Sequence, residues 1–160
     1  MSVLRAVSRR RVSDASQELR RDRRVLLAFR HLPLENRHPS ALRAAQAADC
    51  SGRQGRFWPM HDELFRTPRA LGMDSLIAKG KQIGLDMSAF RRCLTAETTE
   101  TLQRDIASAR ELSITGTPTF LIGMITAEGR LKVSRHQSGA IPKEVLSRIL
   151  DDLLRTAAPQ

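Results

Sequence analysis

The two cysteines carry the most distinctive chemistry in this sequence, because a thiolate can attack a disulfide, bind a metal ion or form a cross-link. Cys50 and Cys93 lie far apart, and the chain contains no other cysteine. That separation matches neither a Cys-x-x-Cys redox motif nor the short Cys and His spacings of a zinc site. The pair therefore forms no recognisable catalytic motif, and its role depends on where the fold places it.

The run from His61 to Glu63 is a second candidate, because imidazole and carboxylate groups are common metal ligands. Consecutive residues of a helix point to different sides, so these three side chains do not converge on one ion. We interpret His61 as a packed or capping residue. The sequence predicts no metal site and no cofactor.

The segment Gly116-Thr117-Pro118-Thr119-Phe120 combines a turn with the start of an apolar, β-branched run. Proline has no N–H for a sheet ladder, so Pro118 belongs at the first residue of a strand, at an edge or at a bulge. A cis peptide bond before proline costs only about 0.5–1 kcal/mol, so a fold can select it. From the residues alone, a cis proline that leads into a strand and an ordinary trans proline both stay open.

The elements that must position these residues follow from hydrophobic periodicity. Val25–Phe29 is a short apolar run without alternation, which predicts a strand buried on both faces. Residues 40–112 have helical patterns, and the apolar face of the last helix contains Leu102, Ile106, Ala109 and Leu112.

Further elements are predicted at the two ends of the chain: helices over 13–22 and 142–155, and strands over 131–134 and over 119–122, the latter ended by Gly123. Strands on both sides of a helical block predict one sheet with a helical insertion. In that sheet, we expect 25–29 and 119–122 to lie together.

Composition and charge narrow the class of protein. The chain has 160 residues, of which 41% are hydrophobic, enough for one domain with a core. No window holds the roughly 18 apolar residues of a membrane span. The net charge is +10, with many arginines within residues 1–31. Because these arginines follow a helical pattern and lack nearby stacking aromatics, we interpret them as a solvated helix face and predict no nucleic-acid partner.

The first eleven residues contain no apolar signal region, so the chain as written is expected in the cytoplasm.

Five segments of the chain resemble the DsbA-like thiol–disulfide oxidoreductases. The segment 113–120, SITGTPTF, is similar to the family's GVxGTPTF, in which the proline is cis and faces the redox centre. The others, in chain order, are VLLAFRHLPL at 25–34, AAQAADCSGRQGRFWPMHDELF at 44–65, GLD with Phe90 and Cys93-Leu94 at 84–94, and SGAIP at 138–142. Together these matches cover most of the chain.

The resemblance implies an α/β fold, a thioredoxin-like sheet with an inserted helical domain. The thioredoxin-like domain would comprise 1–37 and 113–160, and the helical insertion would comprise 38–112. The first strand of the family is expected to be absent from this chain.

The resemblance also implies a substrate groove. In relatives, the residue before the cis proline offers backbone hydrogen bonds to an extended peptide, which makes Thr117 and Pro118 the expected site residues. His31 follows the family's second strand, where the groove opens, and is the third candidate for a residue that lines the groove. A structural role in the turn is an equal alternative for His31. The implied partner is a thiol- or disulfide-containing protein or an extended peptide.

Family members begin their first helix with Cys-x-x-Cys, where the helix dipole and free backbone N–H groups stabilise the thiolate. Here that position falls within residues 1–11, which contain no cysteine, so no catalytic residue is assigned. Three explanations stay open. The chain has lost its first strand and catalytic cysteines, or it is a redox-inactive relative that only binds, or Ser8 replaces the nucleophile as in kappa-class glutathione transferases.

Cys50 and Cys93 match positions in the insertion, away from the redox centre that the resemblance implies. Three roles stay open for them: two inert buried thiols, a structural disulfide between insertion helices, and a catalytic pair. A disulfide would imply an oxidising compartment. The aromatic residues around Trp58 are interpreted as insertion core rather than as a ligand platform.

The sequence thus predicts a DsbA-family protein that is truncated or redox-inactive and whose full-length relatives are often exported. The alternative is a non-catalytic peptide-binding or chaperone-like module that uses the same groove. Both predict little or no disulfide exchange by this chain.

Overall fold

The computed structural model describes residues 25–96 and 99–157. Four predictions concern residues 1–24 and lie outside the described residues. They are the helix over 13–22, the solvated face formed by the arginines up to Arg24, the absent first strand and the nucleophilic Ser8.

The described residues form six helices and two strands. The helices are α1 (Ala41–Gly52), α2 (Phe57–Arg66), α3 (Met73–Gln82), α4 (Met87–Thr95), α5 (Glu100–Glu111) and α6 (Lys143–Ala157). The strands are β1 (Thr119–Ile125) and β2 (Leu131–Ser138).

Two compact units contain these elements. The first unit spans Phe29–Thr115 and contains α1 to α5, and the second includes β1, β2 and α6. The predicted domain boundaries at 37/38 and 112/113 stay predictions.

Helices α1 to α4 of the first unit share one hydrophobic core. Helix α4 begins where the carboxylate of Asp86 accepts hydrogen bonds from the backbone N–H groups two and three residues further on, a standard N-cap. Buried alanines on α1 allow its neighbours to approach closely. The largest fully buried apolar side chains of this unit are Phe90, Met60, Leu76 and Leu102.

The second unit is a β-hairpin packed on a helix. Strands β1 and β2 are antiparallel, with Thr119 opposite Ser138 and Ile125 opposite Leu131. The apolar face of α6 covers one side of the hairpin, and the buried residues at this contact are Ile122, Ile141 and Leu146.

Gly123 does not end β1, as the sequence predicted, but lies inside it. The pairing register shifts between Ile122 and Gly123, which marks a β-bulge. A side chain at Gly123 would place its Cβ 2.0 Å from the carbonyl oxygen of Lys132. The glycine therefore permits close backbone approach, and the strand continues to Ile125.

The prediction of a buried strand over Val25–Phe29 is wrong. Residues 25–29 are in no strand, and Leu26 is 76% exposed. Within the described residues, β1 pairs with β2 alone, so 25–29 and 119–122 share no sheet. An apolar run without alternation cannot distinguish a buried strand from an unpaired extended segment, and no strand among residues 25–96 and 99–157 pairs with this one.

Leu112 is a second correction. The predicted apolar face of α5 is buried at Leu102 and Ala109, but Leu112 is an exposed residue just beyond the end of the helix. Helical spacing predicts which side a residue faces, not whether a neighbour covers it there.

Candidate functional site

Pro118 directly precedes β1, and the Thr117–Pro118 peptide bond is in the cis form. The chain around it is held by two hydrogen bonds of 2.8 Å. The N–H of Gly139 donates to the carbonyl oxygen of Pro118, and the hydroxyl of Thr119 donates to the carbonyl oxygen of Gly116. Two of the three predicted site residues therefore lie together at the start of a strand.

Thr117 has backbone groups that are available to a ligand. Among the hydrogen bonds of the described residues, none uses the N–H or the C=O of Thr117. Strand β1 pairs with β2 along one edge, and no strand in the described part of the chain pairs with the other edge. Unpaired backbone groups next to a free strand edge can bind an extended peptide by strand addition.

His31, the third predicted site residue, lies in the first unit, where Asp105 of α5 fixes its backbone. The N–H of His31 donates to Oδ2 of Asp105 at 2.8 Å, and the guanidinium of Arg30 donates to Oδ1 at 2.8 Å. Because Thr117 and Pro118 belong to the other unit, a groove shared with His31 stays a prediction.

Burial lowers the pKa of His31 below its usual 6.5. The negative charges of Asp105 and Asp49 favour the protonated ring and offset part of this effect. His31 is therefore a buried histidine that favours its neutral form. Its equal alternative role, that of a turn residue held in place, agrees with the hydrogen bond to Asp105.

Aromatic rings surround His31. The ring centroid of Phe29 lies 5.3 Å from that of His31, 4.9 Å from that of His61 and 5.7 Å from that of Phe57. The rings of Phe57, Trp58 and His61 on α2 are half-buried, and the ring centroid of Trp58 lies 5.2 Å from that of His61. The core interpretation of Trp58 thus holds only in part.

Sequence reasoning missed the link between Phe29 and α2, and the role of Asp105. The spacing of the α2 aromatics indicates a shared helix face, but nothing in the sequence indicates that Phe29 packs on it. Likewise, an acidic residue on an amphipathic helix is usually exposed, whereas Asp105 is only 3% exposed.

Cys50 and Cys93 form a disulfide that joins α1 to α4, with a Cα–Cα distance of 5.8 Å. Because the chain has two cysteines, no free thiol is left. Cys50 is only 1% exposed. The side-chain amide of Gln46 donates to the carbonyl oxygens of Cys93 and Ala96, which ties the same two helices together again. The pair lies in the helical core and not at the start of a helix.

The described residues contain neither a metal-binding cluster nor a membrane-spanning helix. No group of three or more His, Cys, Asp or Glu side chains there is arranged to hold a metal ion. The Nδ1 of His61 instead lies 3.0 Å from Oδ1 of Asp62. None of the helices in this part of the chain is long and apolar enough to cross a bilayer.

The sequence profile of a family described as thioredoxin matches residues 10–139. This chain belongs to the thioredoxin family. The matched stretch includes the cis Pro118, His31 and both cysteines. It ends before α6, so it covers α1 to α5 and both strands but not the last helix.

Solved structures place this thioredoxin-family chain with DsbA-like folds. The thiol–disulfide exchange protein α-DsbA2 of Wolbachia pipientis superposes with a TM-score of 0.73 at 20% identity, covering 89% of this chain and 73% of that one. DsbA2 of Pseudomonas aeruginosa superposes with a TM-score of 0.71 at 20% identity, covering 99% of this chain and 86% of that one. A thioredoxin-like oxidoreductase of Silicibacter pomeroyi superposes with a TM-score of 0.71 at 22% identity, covering 94% of this chain and 80% of that one. The predicted fold class, α/β and thioredoxin-like, is confirmed.

Curated relatives are similar to this thioredoxin-family chain over a small part of their own length. The Na⁺/H⁺ antiporter NhaA 3 of Salinispora tropica is 33% identical over 132 residues, which is 82% of this chain and 20% of that protein. NhaA of Herminiimonas arsenicoxydans is 37% identical over 94 residues, 58% of this chain and 15% of that protein. The chain thus spans a fifth or less of the length of these relatives. The Na⁺/H⁺ exchange in their names refers to those whole proteins.

Proposed function

We propose that this chain is a DsbA-like module that binds an extended polypeptide at Thr117 and Pro118 and performs no disulfide exchange with its own cysteines. One observation carries the proposal. The N–H and C=O of Thr117 are unpaired among the described residues, directly beside the cis Pro118 and in line with the free edge of β1.

Backbone pairing would define the class of ligand. A peptide strand that bonds to the N–H and C=O of Thr117 uses its own main chain, so the sequence of the peptide matters little. Such a site suits unfolded or flexible segments of many proteins, because a folded strand has its main-chain groups already paired.

The positions of the cysteines support the absence of exchange. A catalytic thiolate is stabilised at a helix N-terminus, whereas Cys50 and Cys93 lie in the C-terminal halves of α1 and α4, where the helix dipole disfavours an anion. Attack on their disulfide also requires access to sulfur, and Cys50 is buried.

Fluorescence anisotropy with a labelled, unfolded peptide tests the binding. We expect a matched peptide with N-methylated backbone amides to bind at least about tenfold more weakly, because it cannot donate main-chain hydrogen bonds. Thr117→Pro removes the N–H of the site and is expected to weaken binding similarly, whereas Thr117→Ala keeps the N–H and should bind like the wild type. Equal affinities of the wild-type chain for the two peptides would overturn the proposal, and this comparison does not depend on whether a variant folds.

Insulin reduction with a thiol donor tests the absence of exchange. The wild-type chain is expected to give no turnover above the uncatalysed rate. Robust turnover that is lost in Cys50→Ser or Cys93→Ser would contradict this half of the proposal and leave the binding half to its own test.

The disulfide also supports an oxidising compartment, in contrast to the cytoplasm expected from the first eleven residues. Structural disulfides persist mainly outside the reducing cytosol. Trapping cellular thiols with an alkylating maleimide at lysis tests this, and we expect the Cys50–Cys93 pair to be protected from label. Complete labelling would place the chain in a reducing compartment.

A further inference from the structure

The tip of the β-hairpin in the second unit is a short, well-bonded turn. The N–H of Thr126 donates to the carbonyl oxygen of Arg130 at 2.8 Å, and the N–H of Gly129 donates back to the carbonyl oxygen of Thr126 at 2.9 Å. Gly129 has a φ of 73°, a conformation that glycine adopts without strain. The turn therefore holds the ends of β1 and β2 in one fixed arrangement.

Four large apolar side chains next to this turn are exposed, and we call them the hairpin patch. Their exposed fractions are 41% for Met124, 51% for Ile125, 42% for Leu131 and 46% for Val133. Ile125 pairs with Leu131, and Val133 is on the same face because side chains alternate along a strand. Single exposed apolar residues are ordinary, but here four lie at the end of one hairpin, with Ile125, Leu131 and Val133 on one face and Met124 on the other, which concentrates exposed apolar surface there.

Cations flank the hairpin patch. Arg130, Lys132 and Arg135 are exposed on or beside β2, while Glu128 is the acidic residue of the hairpin, so the local charge is three minus one, or +2. Lys132 lies opposite Met124, on the face of the hairpin away from Ile125. Aliphatic side chains with adjacent Lys and Arg are the composition of segments that insert shallowly into an anionic bilayer surface.

We propose that the hairpin patch binds the surface of an anionic membrane, with its aliphatic side chains at the acyl boundary and its cations on the lipid phosphates. A protein partner is the less suitable occupant for two reasons. The tip of a two-stranded hairpin offers far less than the roughly 800 Å² per side of a stable protein interface. The patch also lacks the Trp and Tyr residues that dominate such interfaces.

Co-sedimentation with lipid vesicles tests this proposal. We expect the chain to bind vesicles of phosphatidylcholine with about 30% phosphatidylglycerol, to bind phosphatidylcholine alone weakly, and to lose binding as salt is raised. Leu131→Ser should weaken binding about fivefold, because it removes half-exposed apolar surface. Lys132→Glu should weaken it by about five- to thirtyfold, because one attraction is lost and one repulsion is added.

Two matched variants in the first unit separate the hairpin patch from general charge and hydrophobicity. Leu112→Ser makes the same change at a leucine that is 55% exposed, against 42% for Leu131, and Lys81→Glu makes the same charge change at an exposed lysine of α3. Both should bind vesicles like the wild type. The proposal is overturned if each control weakens binding as much as its partner variant. It is equally overturned if the wild-type chain binds no vesicles. In that case, self-association that Leu131→Ser abolishes in analytical ultracentrifugation would show that the hairpin patch binds a second copy of the chain instead.

Discussion

Asp105 is a buried carboxylate that connects α5 to the segment before α1. Asp105→Ala leaves the N–H of His31 buried without an acceptor, so we expect a loss of about 1–3 kcal/mol in the free energy of unfolding, measured by urea denaturation. Arg30→Ala is the matched control. The side chain of Arg30 is 76% exposed, so removing its ion pair with Asp105 should cost about 0–1 kcal/mol. Equal losses in the two variants would contradict this account.

His31 makes the stability of the first unit depend on pH. Burial lowers its pKa below 6.5, so the unfolded chain binds the proton more readily than the folded chain. The stabilisation from the neutral, buried ring is complete above about pH 6.5 and is lost as the pH falls toward the lowered pKa.

Urea denaturation at about pH 7.5 and pH 5 measures this effect. The wild type should lose more stability on acidification than His31→Gln, which has no titrating ring at that position. His136→Gln removes an exposed histidine of β2 and should keep the decrement of the wild type. An identical decrement in the wild type and His31→Gln would exclude His31 as the cause.

At the level of elements, the Cys50–Cys93 disulfide joins α1 to α4 across 43 positions of sequence. In the chain-entropy model, a loop of that length stabilises the folded chain by about 4 kcal/mol. Reduction with dithiothreitol should lower the free energy of unfolding by an amount on this scale. The double variant Cys50→Ala, Cys93→Ala should unfold at the same urea concentration with and without reductant. A wild type whose free energy of unfolding does not change on reduction would contradict a stabilising cross-link.

The bulge at Gly123 is the corresponding feature of the hairpin. Gly123→Ala should destabilise the pairing of β1 and β2 by roughly 2 kcal/mol or more, because its Cβ would lie 2.0 Å from the backbone of β2. Gly116→Ala is the control, since no atom lies within 4 Å of a Cβ there. Slower amide exchange throughout β1 in Gly123→Ala than in Gly116→Ala would be incompatible with this packing.

The sequence predicted the elements better than their partners. Helical spacing predicted the helical block over 40–112, where α1 to α5 lie, and the helix over 142–155, where α6 lies. Apolar, β-branched runs located both strands. The sequence did not predict the bulge at Gly123 or the unpaired state of 25–29, because both depend on which strand lies alongside. A glycine in a strand and a short apolar run each fit two structures until that neighbour is known.

For the whole molecule, family resemblance predicted the fold, whereas tertiary contacts determined the rest. Motifs around Pro118 and in the insertion sufficed for a thioredoxin-like α/β fold, which the solved DsbA-like structures confirm. The roles of Cys50 and Cys93 could not be chosen from their spacing, because disulfide formation requires the Cα atoms of two helices to come within about 7 Å. The burial of Asp105 likewise follows from packing.

At the scale of the whole molecule, the proposed function requires an extended peptide to pair with the backbone of Thr117. Nuclear magnetic resonance of the ¹⁵N-labelled chain observes the amide of Thr117 directly during titration with an unfolded peptide. We expect this amide to shift progressively with peptide and to shift much less at the same concentrations of the N-methylated peptide, which binds more weakly. A Thr117 amide that stays unchanged while the peptide binds elsewhere on the chain would contradict this pairing.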